Sequence, residues 1–242
     1  METHFPHQLQ FAYVMGGLVR NVADWLLPNE TLAEYNDNAR LARIYETEQA
    51  ISGLPISIPN LNLFTAERPS SQPLNLACKA AQLADSSKAD AFLYRLRYPT
   101  IVEVRSTNDL NEILEVVRTV GIDESLFLRH FQDGSAQAQL EQDFALKDRL
   151  GVRVLPAYLS EFEGKKLLVN GVLNFAQFTQ IIQQISDGKL QPQAPKFTRE
   201  TLSALLAKHP VISLIELQYA FNVSEVEVRS VLADFEKRGE ME

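Results

Sequence analysis

The chain is poor in the residues that most catalytic and metal-binding signatures require. One of its 242 residues is cysteine, Cys78. No intramolecular disulfide, thiolate zinc cage or Cys-x-x-Cys redox motif can therefore be built from this chain alone. Cations are outnumbered, with 23 Lys and Arg against 31 Asp and Glu and a formal net charge of -8. That balance argues against a general nucleic-acid footprint, which needs clustered basic side chains. No apolar run reaches the roughly 18 residues of a membrane span, and METHFPHQLQ has neither the charged nor the apolar region of a signal peptide. The expected compartment is the reducing cytoplasm, which suits a free thiol. Gly-rich phosphate loops and a Gly-x-Ser-x-Gly elbow are missing too. Of the four histidines, His4 and His7 fall in a terminus expected to be mobile, and His130 and His209 stand alone. Neither a metal site nor a cofactor is expected.

What is present is an ordinary globular composition, 45% hydrophobic and 22% charged. Gln8 to Val19, QLQFAYVMGGLV, is rich in aromatic and β-branched residues up to a Gly pair and predicts a buried strand. Asn21 to Tyr45 is partly helix-like, with a restart at Pro28 and Asn29. Four prolines, Pro55, Pro59, Pro69 and Pro73, make the following stretch an irregular connection. From Pro73 to Gly151 the pattern is helical in several pieces. Leu74, Ala77, Cys78, Ala81 and Leu83 form one apolar face, and Ile113, Leu114, Val116 and Val117 another. Thr107 or Asn108 is expected to cap the second of these helices, Gly121 to end it and Asp123 to cap the next. Ser135 opens a further helix that closes at Gly151. Glu141, Asp143, Lys147 and Asp148 on it read as a solvated, i,i+4-paired face.

The period then becomes that of strands. Val152, Val154 and Leu155 run into Pro156, AYLSEF follows, and KKLLVNGV comes after a Glu163-Gly164 turn, which predicts a hairpin. Asn174 caps a helix with the stripe Phe175, Phe178, Ile181, Ile182 and Ile185. The expected domains are 1–186, with a helical insertion over about 73–150, a linker at 187–196, and a small three-helix module at 197–242.

Three stretches, YVMGGL, PLNLACKAAQLA and QDFALKDRLGVRVLPAYL, resemble the thioredoxin-like DsbA family, in particular its FrnE-like branch of protein-disulfide isomerases. The resemblance covers about residues 8–186. It implies an α/β thioredoxin-like sheet with a large helical insertion, and a thiol-disulfide oxidoreductase or isomerase lineage. It further implies that Pro156 is cis and that Leu155 and Pro156 bind an extended or thiol-containing polypeptide. The residue pattern alone favours a trans proline opening an edge strand; it is the resemblance that implies cis. The family's Cys-x-x-Cys, at the start of its first helix, has no counterpart in residues 1–242. Two expectations stand: the start is internal to a longer product, or the redox element is lost and the sheet closes differently. No catalytic residue is assigned, and Cys78, among Ala and Leu, reads as core.

The tail, TLSALLAKHPVISLIELQYAFNVSEVEVRSVLADFEKRGE, resembles the helix-turn-helix core of winged-helix proteins. The helix in the recognition position, capped by Ser224, begins with Glu225 and Glu227 and has only Arg229 as a base in reach. The expected partner is therefore a protein, or a second copy in a homodimer, rather than DNA. The rival to a truncated oxidoreductase is a non-catalytic peptide-binding or adaptor protein, with a DNA-binding regulator acting through the helix-turn-helix as the third reading.

Overall fold

The computed structural model describes residues 1–17, 19–25 and 37–237. The expected helix restart at Pro28 and Asn29 lies outside the described residues. The chain divides into two compact units. A helical unit comprises Met15–Leu146 with Lys208–Val211, and a hairpin unit comprises Met1–Val14, Lys147–Ala207 and Ile212–Glu242. Among the described residues no helix is long and apolar enough to cross a membrane.

The helical unit contains α1 (Asp37–Ser52), α2 (Gln72–Ala84), α3 (Ala89–Ile101), α4 (Leu110–Val120), α5 (Glu124–Gln132) and most of α6 (Ser135–Arg149). Proline in its first turn suits α2, because the N–H it removes would have no intrahelical partner. Ala77, Ala80 and Ala81 are small enough to let α3, α4 and α5 all approach α2. Phe92 and Phe127, fully buried with ring centroids 5.9 Å apart, fill the space between them. Burial of one such side chain contributes about 1.5–3 kcal/mol.

The cap of α4 is neither Thr107 nor Asn108 but Asp109, whose carboxylate accepts from the Asn111 N–H at 2.9 Å. The two expected residues point inward instead. Thr107 shares a hydrogen bond with Thr100, and Asn108 donates to the carbonyls of Arg68 and Ser70. Gly121 and Asp123 do close α4 and open α5.

The strand expected over Gln8–Val19 does not form: the described residues of that stretch lie in no strand. A strand needs a ladder partner for its backbone groups, and here those groups find side chains and loops instead. The Met15 N–H donates to Asp143 Oδ2 at 2.8 Å, and the Val19 carbonyl accepts from the Ser71 N–H. Asp143 is not on a solvated face. Its carboxylate meets Lys79 Nζ at 2.5 Å, with the two side chains only 14% and 7% exposed. Gln82 accepts a second bond from the same ammonium. Next to this cluster the chain turns at Gly17, φ +62, where a Cβ would lie 2.6 Å from the Phe144 ring.

In the hairpin unit, β1 (Ala157–Phe162) and β2 (Lys165–Asn170) pair antiparallel through the Glu163–Gly164 turn. Val152 to Leu155, expected in the strand, precede it as irregular chain. α7 (Phe175–Ile185) opens with a capping box of Asn174 and Gln177 and packs on the hairpin. α8 (Arg199–Lys208), α9 (Leu214–Phe221) and α10 (Glu225–Glu236) follow, and Leu202, Leu217, Phe221, Val228 and Phe235 form a core of their own. Ser213 with Glu216 and Ser224 with Glu227 box the last two helices. The N-terminus, expected to be mobile, is packed within its unit. Phe5 is buried, the Thr3 hydroxyl donates to the Ala220 carbonyl, and the His4 carbonyl accepts from the Gln193 N–H at 2.7 Å.

Two outcomes follow for chemical denaturation. Asp143→Ala leaves Lys79 with Gln82 but no counter-charge, and the Met15 N–H without its acceptor, and lowers stability by about 3–5 kcal/mol; the double variant Lys79→Met/Asp143→Leu recovers part of that loss. Gly17→Ala combines left-handed strain with overlap on Phe144 and costs about 1–3 kcal/mol.

Candidate functional site

The proline loop and the strand it opens form the candidate site. The Leu155–Pro156 peptide bond is cis, and the Pro156 carbonyl accepts from the Gly171 N–H at 2.8 Å, extending the ladder by one pair. With Ala157 opposite Asn170, this fixes which backbone groups face the partner strand. Pro156, Tyr158 and Ser160 are the hydrogen-bonded positions, because opposed pairs alternate along an antiparallel ladder. The N–H and C=O groups of Ala157, Leu159 and Glu161 therefore point to the outer edge of β1. Among the described residues the sheet contains no strand on that edge. An edge of this kind is a template for an added strand.

One face of the hairpin is covered. The Tyr158 ring meets Phe178 of α7 edge-on at 4.7 Å. Side chains alternate between faces along a strand, so Leu159 lies on the opposite face, where it is exposed. Ahead of the strand, Val154 is 58% and Leu155 37% exposed. Exposed aliphatic side chains beside open backbone groups offer an extended peptide both contacts it needs.

The hairpin's charges are mutually neutralised at the surface. Lys165 pairs with Asp187, Lys166 with Glu161 at 2.9 Å and Lys189 with Glu163 at 2.6 Å. Exposed pairs of this kind contribute little to stability.

Cys78 lies elsewhere, on α2 in the helical core. Burial pushes its thiol up to about 12, the neighbouring Lys79 charge opposing only in part. A reactive thiol has the reverse properties, exposure and a depressed pKa. The remaining candidates have separate partners: His130 shares a hydrogen bond with Ser135, and the His209 ring lies tilted against Tyr94.

A long helical block followed in the chain by a proline loop, a hairpin and a covering helix defines a thioredoxin-like fold of the DsbA type. The thioredoxin family profile matches residues 6–180, and the chain belongs to that family. In fold it is similar to a candidate protein disulfide isomerase from Nitrosomonas europaea, at 18% identity over 66% of this chain and 74% of that one, with a TM-score of 0.55. A looser superposition, TM-score 0.44 at 19% identity over 79% and 82% of the two chains, relates it to the cytosolic disulfide reductase DsbM from Pseudomonas aeruginosa. No curated protein matches the chain in sequence.

Cys78 is expected to resist Ellman's reagent at pH 8 in the native protein and to react within seconds once unfolded; rapid labelling of the native state would contradict its burial. Because the folded thiol titrates near 12 and an unfolded one near 8.5, the unfolded state loses its proton first. Stability contributed by this group is full below about pH 8.5 and declines as pH rises towards 12.

Proposed function

We propose that this chain acts as the polypeptide-docking part of a thiol-disulfide exchange protein of the DsbA-like, FrnE-related branch, working in the cytoplasm. An extended, thiol-containing polypeptide adds to the outer edge of β1, with its side chains against Val154 and Leu155. The observation that carries this reading is the outer edge of β1, on which no strand lies among the described residues, next to two exposed aliphatic residues at the proline loop. Main-chain hydrogen bonds to Ala157 and Leu159 supply affinity that does not depend on the polypeptide's sequence.

Exchange itself requires a thiolate that attacks a disulfide sulfur through a mixed disulfide. Residues 1–242 contain one cysteine, and its thiol is buried and held protonated. This polypeptide therefore docks without supplying the attacking dithiol.

A second reading, a non-catalytic adaptor, draws support from the tail helices, where Tyr219 and Val226 are exposed. Such side chains suit a protein partner or a second copy. DNA reading is disfavoured by the charges of α10: Arg229 is paired with Glu225 at 2.7 Å, and the Glu227 carboxylate accepts from Ser224.

Fluorescence anisotropy with a labelled, carboxymethylated insulin B chain tests the docking site. Leu155→Asp is expected to weaken binding at least tenfold, while Tyr219→Asp/Val226→Asp leaves it unchanged; the opposite pattern favours the adaptor. In an insulin-reduction assay the polypeptide is expected to show no turnover, and turnover undiminished by Cys78→Ser would sink the docking-only reading.

A further inference from the structure

A cavity of about 460 Å³ opens within the hairpin unit, bordered by the N-terminal segment, the start of α7, the 192–197 stretch and the end of α9. Its volume falls in the range of small-molecule sites, roughly 300–1,000 Å³. Aromatic and proline surfaces make its apolar walls, chiefly Phe175, Phe221 and Pro195. The polar lining comes from three side chains, His4, Gln193 and Asn222.

His4 is the group that gives the cavity a direction. The residue is only 6% exposed, and its Nε2 lies 2.9 Å from the Tyr219 carbonyl oxygen near the end of α9. A carbonyl oxygen can only accept, so Nε2 carries the hydrogen, and in the neutral ring Nδ1 is left with its lone pair. Among the described residues nothing donates to that nitrogen, and it is not among the buried atoms sealed from solvent. The ring has little freedom to turn away. Its backbone carbonyl is bonded to Gln193, the preceding Thr3 is bonded to Ala220, and Phe5 beyond it is buried. The imidazole also packs against Phe175, with centroids 4.3 Å apart.

The chemistry of this lining selects its ligand. Nδ1 needs a hydrogen-bond donor, the Phe175 and proline surfaces need a flat apolar body, and the Gln193 and Asn222 amides, which bond to no described residue, can pair with a carbonyl. No Lys or Arg lines the cavity, so a carboxylate would meet a lone pair without a compensating cation. We infer that this cavity is a binding site for a small aromatic primary amide, its N–H donated to His4 Nδ1 and its ring against Phe175. The site involves neither Leu155 nor Pro156 and is independent of polypeptide docking.

Benzamide, benzoate and toluene serve as probes in NMR titrations of the full chain, read at the His4 and Phe175 ring signals. Benzamide is expected to saturate with shifts at both rings, with benzoate and toluene at least tenfold weaker. Phe175→Ala, at an exposed position opening α7, is expected to weaken benzamide tenfold with the circular dichroism spectrum unchanged. Gln193→Ala, in exposed chain, gives a second weakened variant should Phe175→Ala disturb the fold, and His4→Phe removes the acceptor itself. Equal affinity for toluene and benzamide, shifts confined to other residues, absence of saturation, or binding unaffected by both Gln193→Ala and His4→Phe would overturn the assignment.

Discussion

A buried ammonium without a counter-charge is among the costliest arrangements a fold can contain, and the helical unit is organised around avoiding one. Lys79 on α2 is buried and meets Asp143 on α6 at 2.5 Å. The same carboxylate oxygen accepts the Met15 N–H, so one side chain fixes two helices and the first residue of the unit together. Gly17 then turns the chain where Phe144, the neighbour of Asp143, leaves no room for a side chain. Cys78 is adjacent to Lys79 on the same helix, and the packing that buries the ion pair also removes the thiol from water. The sole cysteine is thus part of the scaffold.

The hairpin unit works through a different constraint, the parity of an antiparallel ladder. Because Pro156 bonds to Gly171, every second residue of β1 turns its backbone groups outward. α7 covers only one face, leaving Leu159 on the other. Within the same unit the N-terminal residues are tied to the end of α9 and to the 192–197 stretch. Those bonds set the tautomer of His4 beside an aromatic cavity. Hydrogen bonding within one unit thus leaves a strand edge without a ladder partner among the described residues and holds His4 at the lining of a cavity.

Much of this was legible locally. The 3.6-residue period of Ile113, Leu114, Val116 and Val117, the Gly121 stop, the Asp123 cap and the Asn174 cap all survive in the structure, because each depends on residues within one turn. The Glu163–Gly164 hairpin does too. A Ser-x-x-Glu spacing at Ser213 and Glu216 carries the capping-box signal in the sequence, and it places the start of α9. Short-range spacing is silent where the partner is distant. Gln8–Val19 has strand composition, yet no described strand pairs with it. Thr107 and Asn108 resemble caps but spend their polar groups on Thr100, Arg68 and Ser70. Asp143 has the spacing of a surface carboxylate, yet Lys79, 64 positions earlier in the numbering, faces it.

Composition and spacing alone show that a dithiol cannot be formed within these residues, that a helical block precedes a proline, a hairpin and an amphipathic helix, and where several helices begin or end. Composition and short-range spacing suffice for those, since the interactions involved span four residues or fewer. Long-range contacts alone bring Lys79 and Asp143 to one buried site, leave the outer edge of β1 without a strand among the described residues, and place His4 against the Tyr219 carbonyl at the lining of a cavity. Each of these depends on which groups from remote parts of the chain arrive within hydrogen-bond distance, and spacing along the sequence carries no record of that.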